Sequence, residues 1–468
     1  MKSTKLLAGV LSAALACPAM ADTFEITGAT AFRRATIESI HALYLASGQP
    51  FRFAHNRSTE ADFVNADTIT FEGTITDLGP TTVRCAFNGS IEGLRAIADS
   101  PASDPRFYKS SILTDTAVVG GANQENVSNS TANTETAQAE IAFSDTDKAI
   151  SPYASYPMSG GSVGVAVFGL VVNEGSAITN VTTQQYNSLL TNGYMPLSLF
   201  TGNASDTSLV FCTGRNDGSG TRSSYLAEMG YGVSNIVQQF LVVGSDGNEI
   251  TAIQAVPAGG TNDTNPVTSG VQLDPSTDIA NFDAIPSTGS FDQVTQLATS
   301  ASTVWGQDVP GNGGAFSGSV LRGHLALAGT SVTVFDADGF DLFGAPQTGI
   351  SLVSWVSLND ATTARTNGAK IVAFNGVSLA VNANSSGTTG TGSTFNLMTA
   401  ADKDKCYRGN YTAWNFQQMY RRTTASANTV TLYNKIAAAI PTNLGSAGLR
   451  SSDMKVGRPS DGGVINPL

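Results

Sequence analysis

The residues suited to holding a charged ligand cluster in short turns rich in glycine. Arg215-Asn216-Asp217-Gly218-Ser219-Gly220-Thr221-Arg222 follows the apolar run Leu209-Val210-Phe211-Cys212 and precedes Tyr225, Leu226 and Met229 at helical spacing. That order predicts a strand, a tight turn and a helix. Glycines let backbone N–H groups approach a ligand closely, Ser219 and Thr221 bring hydroxyls, and the helix start offers unpaired N–H groups at its positive dipole end. Such a corner suits an oxyanion.

The same arrangement occurs twice more. Phe24 to Thr27 runs into Gly28-Ala29-Thr30-Ala31-Phe32, after which Ile37, Ile40, Leu43 and Tyr44 keep helical spacing. Thr82 to Phe87 breaks at Asn88-Gly89, and Ser90 stands where an N-cap belongs, ahead of Leu94, Ala96 and Ile97. A fourth candidate is Asp145, at the end of the apolar run Ile141-Ala142-Phe143-Ser144. A carboxylate beside a bound oxyanion accepts a proton that the ligand still carries. A fully deprotonated tetrahedral anion has none to give.

Further strands are predicted at Phe51 to Ala54, Thr68 to Ile75, Val163 to Asn173, Gly349 to Leu358 and Lys370 to Phe374. Thr182 and Gln185 form a capping-box pattern for a helix through Tyr186, Leu189 and Leu190, and Asn375-Gly376 is a tight-turn pair. Val430, Tyr433, Ile436 and Ile440 mark an amphipathic helix stopped by Pro441. Polar stretches at Val118 to Ala139, Pro257 to Phe316 and Asn382 to Thr394 are expected as loops, the second long enough to be an insertion. Asp336 to Asp341 lacks the later acidic residue of a calcium loop and is expected as a plain turn. Strands alternating with helices predict an α/β architecture with largely parallel sheets, whose ligands sit beyond the carboxyl ends of strands.

The totals set outer limits. A chain of 468 residues suggests two or three domains, and 41% hydrophobic content excludes a disordered protein. Charged residues are only 13%, while glycines number 48, a loop-rich composition. Lys2 and Lys5, the apolar run Leu6 to Ala16 and the small-x-small end Ala19-Met20-Ala21 predict a signal peptide over 1–21, with the mature chain starting near Asp22 in the periplasm or outside the cell. No stretch is long enough to span a membrane. Taking two lysines from the 25 basic residues leaves 23 against 37 acidic ones, a net charge of −14. That surface repels nucleic acid, yet a small oxyanion held by oriented N–H groups and a local cation is not excluded. Cys85, Cys212 and Cys406 are an odd number without a C-x-x-C, which leaves at least one thiol unpaired; Cys85 and Cys212, in apolar runs, are expected as buried structural thiols, and no metal or cofactor is called for.

With these motifs in their order, the chain resembles the phosphate-binding receptors of bacterial phosphate ABC transporters, in the type II periplasmic binding-protein superfamily. The resemblance rests on Thr27 to Phe32, Gly89-Ser90, Phe143-Ser144-Asp145 and Arg215-x-Asp217-Gly218-Ser219-Gly220-Thr221. It covers roughly the first half of the mature chain. It implies two α/β lobes with mixed sheets flanked by helices, joined by two hinge crossings, here near Val163 to Asn173 and Gly349 to Leu358. Lobe one would take 22–165 plus 358–468, and lobe two 166–357 with the insertion around 257–316. The implied ligand is inorganic phosphate, and the implied partners are ABC permease subunits around a monomer. The implied contacts are the backbone at Ala31 and Phe32, the Ser90 hydroxyl, Asp145 as proton acceptor, Arg215 held by Asp217, and Ser219, Gly220 and Thr221. The sequence departs from the family at Ala31, where threonine is usual and Thr30 stands one place earlier. Either a hydroxyl is missing there or the turn is re-registered.

Two other classes remain as alternatives. A surface or matrix protein would keep this fold and use its polar insertions for adhesion or assembly. A serine-type hydrolase would need Ser219 as nucleophile and His41, His55 or His324 as base, but Gly218-Ser219-Gly220 lacks the G-x-S-x-G pattern.

Overall fold

The computed structural model describes residues 21–98, 106–216, 219–256, 314–315, 318–336, 340–380, 398–444 and 448–468. The predicted signal peptide up to Met20, Asp217 and Gly218, nearly all of the 257–316 stretch, residues 337–339 and the 382–394 loop lie outside them.

The first part of the chain forms strand β1 (Asp22–Gly28), helix α1 (Arg33–Ala46), β2 (Arg52–His55), β3 (Thr68–Ile75), β4 (Gly79–Ala86), α2 (Ser90–Ala98) and β5 (Ile141–Ser144). A 15-residue strand, β6 (Met158–Val172), leads to α3 (Thr183–Asn192), β7 (Leu209–Cys212), α4 (Gly220–Glu228) and α5 (Gly318–Leu325). Then come β8 (Ser351–Ser357), α6 (Leu358–Thr366), β9 (Lys370–Phe374), α7 (Ala400–Tyr407), β10 (Trp414–Arg422) and α8 (Ala427–Asn443).

One mixed sheet of fourteen strands organises the described residues, its main path running from β7 through β8, β6, β10, β5, β1, β4 and β3 to β2. A separate four-stranded sheet is formed by 239–246, 249–256, 331–335 and 347–348. Parallel pairs are present where glycine turns follow the strands: β1 lies parallel to β4 and β5, and β7 to β8. The expected largely parallel sheet is nevertheless corrected. Strand β6 runs antiparallel to β10 along Met158 to Val167 and antiparallel to β8 from Phe168 to Val172. Antiparallel β3 also joins β4 directly through a short turn.

Two large apolar cores lie along this sheet. One collects Ile26, Ile40, Tyr44, Phe71, Phe143, Met419 and Ile436. The other collects Val171, Leu189, Phe211, Tyr225, Trp355, Phe374, Tyr411 and Trp414. The second crossing expected at Gly349 to Leu358 differs from what is observed. That run becomes β8, which pairs with the distal half of β6, and the chain then stays in the second core through α6, β9 and Tyr411. Return to the first core is made by β10, with Trp414 in one core and Met419 in the other. An apolar run such as β8 does not reveal its partner strand until it is paired.

Smaller differences have local causes. Helix α8 contains Pro441 instead of ending before it. In the last turn the missing N–H costs one bond, and the fixed φ is already helical. Val118 to Ala139 holds two three-residue strands, Ala122–Gln124 and Thr134–Thr136, rather than loop alone. The capping box of Thr182 and Gln185 forms as its spacing requires. Asn375 and Gly376 both have positive φ, as the tight turn demands. Cys85, Cys212 and Cys406 are buried free thiols. Among the described residues no helix is long and apolar enough to cross a membrane.

Candidate functional site

Three strand ends are stitched into one corner. Ala29 N–H donates to the Phe143 carbonyl at 2.8 Å, and Gly89 N–H donates to the Gly28 carbonyl at 3.0 Å. Glycine is required at Gly28, where φ is +120° and a Cβ would stand 2.0 Å from the Phe143 oxygen. Gly93 of α2 packs equally close, 2.6 Å from the Gly28 Cα for an added Cβ. Ala31 and Phe32 occupy a 3₁₀ turn at this corner, and Phe32 stacks on Phe143 with ring centroids 6.3 Å apart. The Phe32 N–H closes that turn by donating to Ala29 O at 3.3 Å.

Ser90 was expected to cap α2. It is instead the first helical residue, and the Gly89 carbonyl accepts from Gly93 N–H at 2.9 Å. The shift by one position frees the Ser90 hydroxyl, which donates to Asp145 Oδ1 and accepts from Asp145 N–H at 3.2 Å. Asp145 is buried. Burial raises the pKa of its carboxyl group, while bonds from Ser90 and Thr221 and the nearby Arg215 charge oppose that rise.

Helix α4 docks its N-terminus onto this carboxylate. Thr146 Oγ1 donates to the Gly220 carbonyl at 3.1 Å, and Ser224 Oγ donates to the Asp145 carbonyl at 3.2 Å. Asn415 Nδ2, from β10, reaches the same carbonyl at 3.3 Å. Ser219 is the N-cap of α4, its oxygen accepting from Arg222 N–H at 3.4 Å. Arg215 is buried behind the turn and donates from Nε to the Ala315 carbonyl at 3.0 Å. Its pKa is lowered by burial, against the pull of Asp360 and Asp145.

The structure thus joins Ser90, Asp145, Gly220 and Thr221 directly and brings Arg215 within electrostatic reach. Ser219 serves the helix end, Ala31 and Phe32 stand at the adjoining corner, and Asp217 lies outside the described residues. Asn415 and a second charged layer were missed. Ser357 caps α6, accepting from Asp360 N–H at 3.2 Å, and Asp360 pairs with Arg322 of α5 at 3.1 Å. Arg33, next to Phe32, is paired with Asp67 and also senses Asp360 and Arg322. Ser357-x-x-Asp360 after an apolar strand is a readable capping signal. Asn415 carries no local signal at all.

Chemically, the corner offers hydroxyls, helix-start N–H groups and a buried cation, all favouring an anion, and one buried carboxyl that disfavours any anion without a proton. No histidine joins it. His41 packs among Phe51, Phe53 and Phe63, His55 accepts from Arg57 N–H, and burial lowers His324 to about 3.

No protein-family model and no curated protein matches this chain. Several solved structures are similar to it. One is described as a phosphate ABC transporter substrate-binding protein with bound phosphate, from Clostridium perfringens, at TM-score 0.39 and 9% identity over 92% of this chain and 99% of that one. A second is an ABC-type phosphate transport receptor from Vibrio cholerae, at TM-score 0.38 and 11% identity over 92% and 100%. A third is PstS from Borrelia burgdorferi, at TM-score 0.32 and 10% identity over 92% and 98%. All three likenesses are distant.

Proposed function

We propose that this chain is an extracytoplasmic receptor that captures inorganic phosphate between two lobes for uptake through an ABC permease. One lobe is built from the described residues of 22–163 and 415–444 and the other from those of 166–413, with β6 and β10 as the crossing strands. Asp145 accepts the proton of HPO₄²⁻ or H₂PO₄⁻. The Ser90 and Thr221 hydroxyls, turned from Asp145 to the ligand, and the N–H groups around Phe32 and Gly220 donate to the other oxygens, and Arg215 balances the charge.

The observation that carries this reading is the meeting of Ser90, Asp145 and Gly220. Residues from three separate turns converge on one buried carboxyl, at the starts of two helices. A proton-reading anion site needs a buried carboxyl, hydroxyls and helix-start N–H groups brought together in this way. A serine-type hydrolase gains no support, because the Ser219 oxygen is engaged as a helix cap and the histidines are packed elsewhere.

Calorimetry on the chain from Asp22 onward tests the reading. Phosphate should bind with a dissociation constant of about 1 μM or tighter, near −8 kcal/mol, and sulfate should not compete. Absence of phosphate binding at millimolar concentration would falsify it.

A further inference from the structure

Segment 455–468 touches both walls of the candidate site from behind. It is anchored by Lys455 N–H donating to the Tyr407 carbonyl at 2.9 Å, and it folds on itself through the antiparallel pair Val456–Gly457 and Asn466–Pro467. Its loop reaches α4 at the end opposite Gly220. Arg458 Nη1 pairs with Glu228 Oε2 at 2.6 Å, the guanidinium lies 4.2 Å from the Trp414 ring centroid, and Nη2 donates to the Thr412 carbonyl at 3.0 Å. Gly462 has φ +69° and lies so close to α4 that an added Cβ would stand 2.1 Å from the Ala227 oxygen.

The same loop reaches the other wall. Asp461 Oδ2 accepts from Asp147 N–H at 2.6 Å, two residues beyond Asp145. Tyr420 accepts from the adjacent Lys148 N–H at 3.2 Å. One short loop therefore ties the C-terminal end of α4 to the turn that carries Asp145. Gly220 and Asp145 meet at the front of the same two elements.

We propose that segment 455–468 is a clasp, with Asp461 as its positioning residue, that holds the Asp145 turn against α4 and sets how fast the cleft opens. This rests on the two-lobe receptor reading. Arg458 and Asp461 are buried while their partners Glu228 and Asp147 are half-buried, and breaking such a polar pair acts mainly on dissociation. Opening the cleft must either break the bond to Asp147 or pull Arg458 and Gly462 from α4. A ligand held between the walls then leaves no faster than the clasp releases.

The test uses the full mature chain. Asp461→Ala should release labelled phosphate about tenfold faster in a chase with unlabelled phosphate, and the ligand-free protein should show a larger radius of gyration by small-angle scattering. Asp461→Asn retains an oxygen acceptor for Asp147 N–H and should behave as the parent in both. A parental release rate and scattering curve for Asp461→Ala would overturn the clasp. Should that variant not fold, Glu228→Ala, which removes the acceptor for Arg458, decides by the same two readouts. If the parent binds no phosphate, the receptor reading falls, and the scattering comparison still decides the clasp.

Discussion

Gly220 and Asp145 meet with no room for one added carbon. A Cβ on Gly220 would stand 1.7 Å from Asp145 Oδ1, and 2.3 Å from Ser90 Oγ. Three short motifs that lie far apart in the chain therefore form one contact, and glycine at 220 is a condition for it. The Ser90 Cβ, 2.5 Å from the same point, cannot swing aside as a long side chain would.

Replacing Gly220 by alanine should consequently wedge α4 away from the Asp145 turn. Overpacking of this kind costs about 1–3 kcal/mol, which corresponds to roughly 5- to 150-fold weaker phosphate binding. Calorimetry against the parent measures it. Parental affinity in Gly220→Ala would mean that α4 and Asp145 do not need to meet when ligand is held.

On the proposed receptor reading, Asp145 decides which anion is accepted. Asp145→Asn removes the negative charge that repels an unprotonated dianion and supplies an N–H donor, so sulfate should gain on phosphate by about tenfold, near 1.4 kcal/mol. Acid should mimic the substitution in the parent. Burial raises the Asp145 carboxyl's pKa, so it takes up its proton at a higher pH than a free aspartate and then tolerates sulfate. Competition titrations at several pH values read this out, and a preference independent of pH would count against the role.

Much of this corner was legible in the sequence, because a glycine turn between an apolar run and a helical repeat is a local pattern. Gly28, Gly89 and Gly220 all fall where that pattern put them. Ser90 was misplaced by one residue, since Gly89 takes the role at the helix start and leaves the hydroxyl for Asp145. Asn415 and Asp461 were invisible, being 270 and more than 300 residues from the turn they touch. Strand order was equally hidden: only the pairing of β8 and β10 along β6 tells which one returns to the first core.

Arg84 secures the strand pair that carries Gly28 and Ser90. It stands opposite Glu25 in the β1/β4 register, donates from Nε to Glu25 at 3.0 Å and from Nη1 to the Tyr108 carbonyl at 3.3 Å, and also pairs with Glu135. Both Arg84 and Glu25 are buried. Arg84→Ala leaves a buried carboxylate without its cation and should destabilise the fold by about 3–5 kcal/mol. Arg84→Met combined with Glu25→Leu removes both charges at similar volume and should recover most of that loss. Urea denaturation of the three proteins checks it. Equal losses in the single and double variants would show that packing, not the ion pair, matters there.

Asp461 should also give the protein a measurable acid preference. Its pKa is raised to about 7, chiefly by burial and also by the Asp147 and Asp145 charges, against the opposing pull of Asp147 N–H and Arg458. A carboxyl whose pKa is higher in the folded state binds its proton more tightly there than in the unfolded chain. Its contribution is therefore fully present below the unfolded value, near 4, and is lost as pH climbs toward 7. The ceiling for a shift of this size is about 4 kcal/mol. Glu140, also raised to about 7 by burial beside Glu25, slopes the same way, so the informative quantity is the difference between the parent and Asp461→Asn. Between pH 4.5 and 7.5 the parent should lose more stability than Asp461→Asn in thermal or urea unfolding, and the two curves should run parallel below pH 4. Parallel curves over the whole range would mean that Asp461 stays ionised in the fold and that Arg458 outweighs its burial.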